Sequence, residues 1–477
     1  MDLRDFIEIC EKEGQLKRIA TEVDWDLELS HVSKIVEGQG GPALLFEKVK
    51  GYTIPVFTGA FATPRRLGLL LGKRNHLSMV ELTQEWMKLA NQKPIPPKEQ
   101  EDGPIFENTL SGDDVDVFMF PSPRFYELDG GRYFGTTVFL VVEDPETGEI
   151  NLGTYRMQVL DSKTVGVQIL KGKRGDRILE KYRKAGRKMP ACAVIGGDPL
   201  LLLAGSVMVA KTSEYEVAGA VRGKPVEIVR GTLTGLPIPA FAEIVLEGEI
   251  DPENLRPEGP FGEFTGYYTD ELIRPIPKPA LEVKRIYHRN NPILWETSAG
   301  RPVTDNHMLL SFIQNAMLWA ELARMQIPGI KSVYMPPEAA GRFWSIVSVE
   351  QMYPGHAEQV GAAVAATNTA SYCCKGIIIV DHDIAADDLP RVWWALGTRF
   401  NPARGTQILN RGRSTPLDPA LDPTSDKLLT SRIILNATIP FEWKDKPTEV
   451  KLSEPILNKV RERWAEYGID RQEHEVG

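Results

Sequence analysis

The chain has 477 residues, of which 42% are hydrophobic, 25% charged and 8% aromatic. This is an ordinary globular composition with enough apolar residues for more than one core, and it excludes an intrinsically disordered chain. The 56 basic and 65 acidic residues leave a net charge of −9, which disfavours nucleic acid and anionic membranes as partners.

The sequence patterns point away from secreted, membrane-spanning and zinc-binding proteins. The first 14 residues are amphipathic and acid-rich, unlike a signal peptide, and the longest apolar stretch, 200–210, is too short to span a bilayer. We expect this stretch to be a buried strand. The four cysteines form no CxxC pair and the seven histidines no HxxH or HxxxH, which favours buried free thiols and disfavours a zinc hydrolase. We therefore expect a cytoplasmic protein.

Residues 1–95 mix helical and strand patterns and are predicted to form an N-terminal α/β segment. A helix stopped at Gly14 precedes two strands on either side of a turn at Lys50 and Gly51. The stretch 91–104 is rich in proline and charged residues, and we interpret it as a linker.

From 105 to 290 the pattern is mostly that of strands. Segments such as TTVFLVVE, ACAVIGG and AFAEIVLEGEI recur between turn signals, which is typical of an antiparallel sheet or barrel. A helical stretch ending at Gly186 interrupts them. Over 296–440 helices and strands alternate, which indicates a separate α/β domain with parallel strands, and 450–477 is predicted to be a C-terminal helix. The expected fold class is therefore a multidomain α+β or α/β protein.

The densest set of candidate catalytic residues lies in PEGPFGEFTGYY (257–268). Glu258 and Glu263 flank a loop with two glycines and a proline, which predicts that both carboxyl groups lie near one pocket wall. Two carboxyl groups in one pocket can take different roles, because burial and the neighbouring charge push one of them toward protonation. A turn whose glutamates face water explains the same residues equally well.

Three further segments carry charged residues suited to an anion or a metal. Asn151 and Arg156 lie at a strand start, where a buried arginine would need a carboxylate or phosphate, although a surface salt bridge is a competing interpretation. Glu214 and Glu216 begin a small-residue segment, where an acid commonly supports a helix N-terminus. Lys375 precedes the strand GIIIV and could reach an anion or simply be exposed.

A glycine-rich segment, DGGRYFGT (129–136), could cradle a phosphate. It matches neither the dinucleotide fingerprint nor the P-loop, so this interpretation has only weak support.

Taken together, these segments resemble the UbiD-like family of (de)carboxylases that depend on prenylated FMN. The resemblance covers roughly residues 40–410 and rests on motifs in a shared order: DGGRYFGT, NLGTYRMQ, SEYEVAGAVRGKP, AEIVLEGEI, PEGPFGEFTGYY, KRIYHRNNPI, YPGHA, CKGIIIVDHDI and PARGTQI. It implies a split-barrel-like flavin domain over 105–290 and an α/β oligomerisation domain over 296–440. It also implies reversible, non-oxidative decarboxylation of an aromatic, heteroaromatic or other α,β-unsaturated acid through a covalent adduct with prenylated FMN.

The resemblance implies a catalytic set of Arg156, Glu258 and Glu263. Glu263 matches the proton donor, Arg156 would orient the substrate carboxylate, and Glu258 would hold Arg156. Because the two carboxyl groups lie close together, they are expected to titrate as a coupled pair.

The cofactor set implied by the resemblance is Asn151, Arg156, Lys173, Glu214 and Lys375. Asn151 and Glu214 match two of the family's three ligands for a divalent metal, usually manganese. A potassium ion is also implied, and the segment around Ser206 is the best match for its site.

The third metal ligand of the family, a histidine, is not at its place in this sequence. Lys173, or Arg174 one residue later, stands there. A charged side chain of this kind does not ligate a divalent metal, so we expect Lys173 to contact the cofactor phosphate directly.

The substrate-binding residues are expected in RPVTDNHMLL, at the start of the second domain. His307 and Met308 are the candidate contacts, and Arg301 or Arg324 could bind a second carboxylate, although helix-surface or interdomain bonding explains them as well. The expected partners are the acid substrate and CO2, a flavin prenyltransferase that supplies the cofactor, and further copies of the chain in a homodimer or homohexamer. The alternatives are an ordinary flavin oxidoreductase and a structural subunit of a multi-subunit carboxylase.

Overall fold

The structure is a computed structural model that describes residues 1–206, 212–268, 274–297, 299–422 and 429–468. Residues 1–438 form one compact unit and 439–477 a second, smaller one. None of the helices in the described part of the chain has the length and apolar character that crossing a bilayer requires.

The helices lie at both ends of the chain and between the strands of its middle part. They are α1 (Leu3–Lys12), α2 (Glu28–Gly38), α3 (Pro64–Leu70), α4 (Met79–Ala90), α5 (Arg174–Lys184), α6 (Pro199–Ser206), α7 (Glu214–Arg222), α8 (Asp305–Arg324), α9 (His356–Ala366), α10 (Asn368–Ser371), α11 (Leu389–Thr398), α12 (Pro402–Gly405) and α13 (Glu454–Glu462). Of these, α13 belongs to the smaller unit, where its described residues have no buried side chain.

The strands belong to five sheets. They are β1 (Leu16–Ile19), β2 (Ala43–Phe46), β3 (Val56–Thr58), β4 (Lys98–Glu99), β5 (Asn108–Ser111), β6 (Phe139–Glu143), β7 (Ile150–Thr154), β8 (Met157–Asp161), β9 (Thr164–Val167), β10 (Met189–Ile195), β11 (Glu227–Arg230), β12 (Pro237–Pro239), β13 (Ile244–Ile250), β14 (Arg256–Glu258), β15 (Ile276–Lys278), β16 (Ala280–His288), β17 (Leu294–Trp295), β18 (Ile330–Tyr334), β19 (Trp344–Val349), β20 (Gly376–Asp381), β21 (Thr406–Arg413) and β22 (Leu429–Ala437).

The largest sheet is antiparallel and curls into a half-barrel, as the alternating strand patterns predict. Its order is β7-β6-β10-β13-β16-β9-β8, with β5 paired to β16. Successive side chains of β13 point to opposite faces of the sheet, since Val245 packs in one hydrophobic cluster and Ile244 and Leu246 pack in another. Both faces of the sheet are therefore covered, which holds its strand ends in fixed positions.

The alternation of helices and strands after residue 296 correctly predicts an α/β sheet. Its order is β18-β19-β20-β22-β21; β19, β20 and β22 are parallel, and the two edge strands are antiparallel. The stretch 91–104, interpreted as a linker, contains β4, which pairs with β11.

The interpretation of 200–210 as a strand is wrong where the structure describes it. Residues Pro199–Ser206 form helix α6, because the carboxylate of Asp198 accepts the Leu200 amide at 2.9 Å and Pro199 fits the first turn. The run of leucines is buried on every side, so it carries no helical periodicity, and leucine favours helix over strand. Residues 207–210 lie outside the described part.

Candidate active site

The loop after β14 brings the two predicted glutamates to one place. Glu258 ends the strand, and Gly259 follows with φ +96°, a conformation that side chains disfavour. Glu258 and Glu263 are both buried, with side chains 1% and 9% exposed. The alternative of a turn whose glutamates face water therefore does not describe this loop.

Arg156 joins these two carboxylates. It lies between β7 and β8, and its Nε and Nη2 donate to Oε1 and Oε2 of Glu258 at 2.9 and 2.8 Å. Its Nη1 donates to Glu263 Oε1, and the guanidinium lies 4.6 Å from the ring centre of Phe261. The structure thus brings together Arg156, Glu258 and Glu263 in a buried ion-pair network.

The charges of this network set the protonation behaviour of its members. Burial raises the pKa of Glu263, and the carboxylate of Glu258 raises it further, while Arg156 opposes both effects. Burial alone would lower the pKa of Arg156, but the two carboxylates raise it overall, so this guanidinium stays charged. A single cation shared by two buried carboxylates favours a proton on Glu263.

The network lies at the wall of a cavity of about 400 Å³. Arg156, Glu263, Phe261 and Phe264 line it, whereas Glu258 lies behind them and does not. The two glutamates therefore differ in access: Glu263 can meet a bound molecule, and Glu258 meets only protein.

A brace from residues 129–133 fixes the glutamate loop. Asp129 accepts hydrogen bonds from the Gly262 amide at 2.8 Å and the Tyr268 hydroxyl at 2.6 Å, and Gly130 N donates to Pro260 O at 2.8 Å. A Cβ on Gly130 would lie 2.0 Å from the Gly259 oxygen, so only glycine fits there. Gly130 of DGGRYFGT thus serves close backbone packing, and none of the segment's glycines lines the cavity.

A second group of charged and polar residues lines the cavity where β7, α5 and α7 meet its wall. Asn151 on β7 is 4% exposed, and Glu214, the first residue of α7, is 5% exposed. The Leu152 amide donates to Glu214 Oε2 at 3.3 Å, and Arg174 Nη1 lies 3.9 Å from Glu214 Oε1. Glu216, in contrast, completes the capping box of α7 with Ser213, as expected for an acid at a helix start.

Lys173 also lines the cavity, as the residue before α5. Crowding by protein atoms lowers the pKa of its ammonium group, and the positive charge of Arg342 lowers it further. Arg342 lines the same cavity, so several cations face one space.

Other predicted site residues lie elsewhere. Lys375 is bound to Asp418 at 2.9 Å and lies 4.5 Å from the ring centre of Phe343, outside the cavity wall. His307 is buried and bound to the Phe264 oxygen at 2.6 Å, and burial lowers its pKa to about 4. Met308 is buried in a core cluster. The structure does not bring these three side chains to the cavity.

The two arginines proposed for a second carboxylate also lie outside the cavity wall. Arg301 is exposed, and Arg324 ends α8 with its Nε donating to the Ala320 oxygen at 3.2 Å. Both fit the competing interpretation, in which they serve surface or helix-end bonding.

Gln168 and Arg342 are among the polar residues of the cavity wall that sequence reasoning missed. Gln168 Oε1 and Arg342 Nε are buried and have no hydrogen-bond partner among the described residues, and the same holds for Asn151 Nδ2. Gln168 stands in the segment GVQIL beside the predicted phosphate contact, whereas no local pattern marks Arg342. Unpaired buried polar atoms around one cavity indicate a ligand that pairs with them.

Models of one family match nearly the whole chain. They are the N-terminal, Rift-related and C-terminal domains of 3-octaprenyl-4-hydroxybenzoate carboxy-lyase, over residues 7–86, 97–302 and 307–437. An uncharacterised protein, sll0936 of Synechocystis sp., is 32% identical, with 98% of this chain and 96% of that protein covered. The chain belongs to the UbiD family of carboxy-lyases.

Solved structures of UbiD-class enzymes have the same fold. HmfF of Pelotomaculum thermopropionicum in complex with FMN is 29% identical and has a TM-score of 0.87, with 98% of this chain and 100% of that chain covered. An evolved dimeric form of HmfF was solved with prenylated FMN (28%, TM-score 0.84, 98% and 99% covered). Vanillic acid decarboxylase of Sedimentibacter hydroxybenzoicus in open form is 31% identical, with a TM-score of 0.86 and 98% of both chains covered.

The cavity fits a flavin, and it does not fit the divalent metal that the resemblance implies. Its volume lies in the range of cofactor sites, and its unpaired polar atoms can bind a ring system and a phosphate. Of the three ligands that the resemblance assigns to this metal, only Asn151 and Glu214 are present, and Glu214 lies beside the guanidinium of Arg174. Among the described residues, no group of three or more His, Cys, Asp or Glu side chains could hold a metal ion. Ser206 lies at the wall, and residues 207 and 208 of the segment GSVM proposed for potassium lie outside the described part.

Proposed function

We propose that this chain catalyses the reversible, non-oxidative decarboxylation of an aromatic, heteroaromatic or other α,β-unsaturated carboxylic acid, with prenylated FMN as cofactor. The observation that carries the proposal is the unequal placement of the two glutamates around Arg156. Glu263 faces the cavity with a raised pKa, while Glu258 lies behind it and anchors the arginine. This is the arrangement that a proton donor and its positioning partner require.

The cofactor is expected to come from a flavin prenyltransferase. When bound, prenylated FMN supplies an electron sink for the carbon that loses CO2, which amino-acid side chains do not provide. The chain's own residues orient the substrate and transfer the proton.

Arg156 binds and orients the substrate carboxylate. Three of its N–H groups are bonded to Glu258 and Glu263, so two of the five remain for a ligand. The ring of Phe261 lies against the guanidinium in a cation–π contact. This contact holds the guanidinium in place and excludes water from the face of Arg156 that the ring covers.

Glu263 holds the proton that the product carbon needs. Because its pKa is raised, a larger share of the protein carries this proton near neutral pH than for an exposed glutamate. In the direction of carboxylation the same group, once ionised, accepts the proton from that carbon.

The apolar wall of the cavity favours an aromatic substrate over a linear one. Leu309, Leu310 and Ile313 of α8 line it together with Phe264. Flat rings pack well between aliphatic side chains and a phenylalanine, because both of their faces are apolar.

Two alternatives are less well supported by the same geometry. An ordinary flavin oxidoreductase does not require two buried carboxyl groups on one shared arginine, because hydride transfer involves no loss of CO2 and no carboxylate that must be oriented for it. A structural subunit would gain nothing from a buried cation with two buried carboxylates, which is costly to keep.

The test is expression with a flavin prenyltransferase, followed by a screen of aromatic and heteroaromatic acids for CO2 release. Absorbance and intact mass establish whether the bound flavin is prenylated or plain. We expect turnover of at least one acid by the wild type and a loss of about 100-fold or more in Glu263→Gln with the cofactor retained.

The matched control is Glu253→Gln, a change at an exposed glutamate with a side chain 76% exposed. It should leave turnover unchanged. Near-normal activity of Glu263→Gln would remove Glu263 from the acid role. A cofactor-loaded wild type that turns over no acid until a partner protein is added would favour the structural subunit.

A further inference from the structure

The start of α5 brings positive charge to the place where a metal ligand is expected. Arg174, the first residue of this helix, has Nη2 3.0 Å from Glu149 Oε2 and Nη1 3.9 Å from Glu214 Oε1. Its guanidinium is therefore held between an exposed and a buried carboxylate at the cavity wall.

This placement works against a divalent cation. Glu214 is the single carboxylate among the ligands that the resemblance assigns to a metal here, and the other ligand present is the neutral amide of Asn151, while no group of three or more His, Cys, Asp or Glu side chains forms among the described residues. A cation bound to Glu214 would have to displace or approach the positive charge of Arg174. Lys173, next in the chain, adds a further positive charge instead of a ligand.

The same residues suit an anion. The helix α5 has 11 residues, and the residue before it, Lys173, makes no side-chain hydrogen bond to its N-terminus. Helix N-termini present amide groups and a positive dipole end, and in α5 the amide of Gly175 is already bonded to the Tyr155 hydroxyl. Independently, the buried Nδ2 of Asn151 has no partner among the described residues and lines the same cavity.

We infer that this part of the cavity binds the phosphate of the flavin directly, through Arg174, Lys173 and the N-terminus of α5, without a divalent metal. The inference rests on the proposed function, because it takes the cavity to be the flavin site. It extends the sequence prediction for Lys173 to Arg174, because Arg174 is the first residue of α5 and lines the same cavity.

The experiment compares FMN with riboflavin, which lacks the phosphate. Flavin binding to the apoprotein is measured by fluorescence quenching, first with EDTA and then with added Mn2+. We expect EDTA to leave FMN affinity unchanged, FMN to bind about tenfold or more tightly than riboflavin, and free Mn2+ to keep its electron paramagnetic resonance signal.

Substitutions then locate the contact. Arg174→Ala should weaken FMN binding about tenfold or more and leave riboflavin binding unchanged. Arg174→Gln tests the same contact if the alanine variant does not fold. The matched control is Lys184→Ala, at the other end of α5, which should change neither affinity.

A third variant restores the missing metal ligand. Lys173→His places an imidazole at the cavity wall that Asn151 and Glu214 also line, and FMN binding should then become stronger with Mn2+. Stoichiometric Mn2+ binding by the wild type, or a tenfold loss of FMN affinity in EDTA, would overturn the inference and leave the proposed function intact. Equal affinities for FMN and riboflavin would also overturn it. If neither flavin binds under any condition, the proposed function fails together with it.

Discussion

Replacing Glu258 by glutamine tests how the buried network controls the proton on Glu263. Glu258 accepts two hydrogen bonds from Arg156, at 2.9 and 2.8 Å, and its side chain is 1% exposed. Glutamine keeps one acceptor and loses the charge, so about 1.5–3 kcal/mol of stability should be lost with one charge-assisted hydrogen bond.

Besides this loss of stability, Glu258→Gln should change the pKa of Glu263, and this is the larger effect on the reaction. The negative charge of Glu258 raises the pKa of Glu263, and Arg156 lowers it. In Glu258→Gln the repulsion is gone and the whole charge of Arg156 acts on Glu263, so its pKa should fall by about 1 or more. A proton donor works only when protonated, so the rate would decline at a lower pH than in the wild type. Above that pH, a pKa lower by about 1 makes the variant about tenfold slower than the wild type, because about one tenth as much of it carries the proton.

The assay is kcat against pH, with the acid identified by the substrate screen. Glu247→Gln is the matched control, because Glu247 is a fully buried carboxylate bonded to Tyr287 and Thr234, away from the cavity wall. It should lose stability without moving the pH profile. If kcat of Glu258→Gln declines at the same pH as in the wild type, or at a higher pH, Glu258 does not raise the pKa of Glu263.

Three further outcomes follow from other parts of the structure. Asp129→Asn should weaken the hydrogen bond from the Gly262 amide and so lower kcat about tenfold. A flavin titration should show unchanged flavin binding, and an unchanged kcat would contradict the bracing role of Asp129. Burial and the charge of Asp305 raise the pKa of Glu37 to about 8, so its stability contribution, full below the unfolded pKa of about 4.5, is lost as pH rises through about 8. The thermal midpoint should fall over this range and fall less in Glu37→Gln; equal slopes would count against the assignment. Burial raises the pKa of the Cys373 thiol to about 12, so a thiol reagent near pH 8 should label the native protein slowly and the unfolded protein fully; fast native labelling would disagree.

The sequence predicts the periodic elements well, because periodicity reports which face is buried. The antiparallel strands of the half-barrel and the alternating helices and strands after residue 296 are confirmed. The failure at Pro199–Ser206 has the same cause, since a helix buried on all sides has no polar face to reveal its period.

The site was predictable only in part. The spacing of Glu258 and Glu263 indicates a shared pocket, but the identity of the residue facing the cavity depends on Asp129 and Gly130, far away in the chain. Likewise, the strand start at Lys375 suggests an anion partner, but only the structure shows that this anion is the carboxylate of Asp418. Contacts between distant segments leave no local pattern in the sequence. They nevertheless determine which side chain faces the cavity and which partner a charged side chain binds.

The balance of charge differs between the two groups of residues that line the cavity. Around Arg156, two buried carboxylates share one cation, which favours the uptake of a proton. Around Glu214, one buried carboxylate faces Arg174, and Lys173 and Arg342 line the same cavity, which favours the uptake of an anion. With its phosphate at Arg174, a bound flavin would present its ring system, and not its phosphate, to the side of the cavity where Glu263 would protonate the carbon of the substrate. The same charges that would bind the cofactor would therefore also set which part of it meets Glu263.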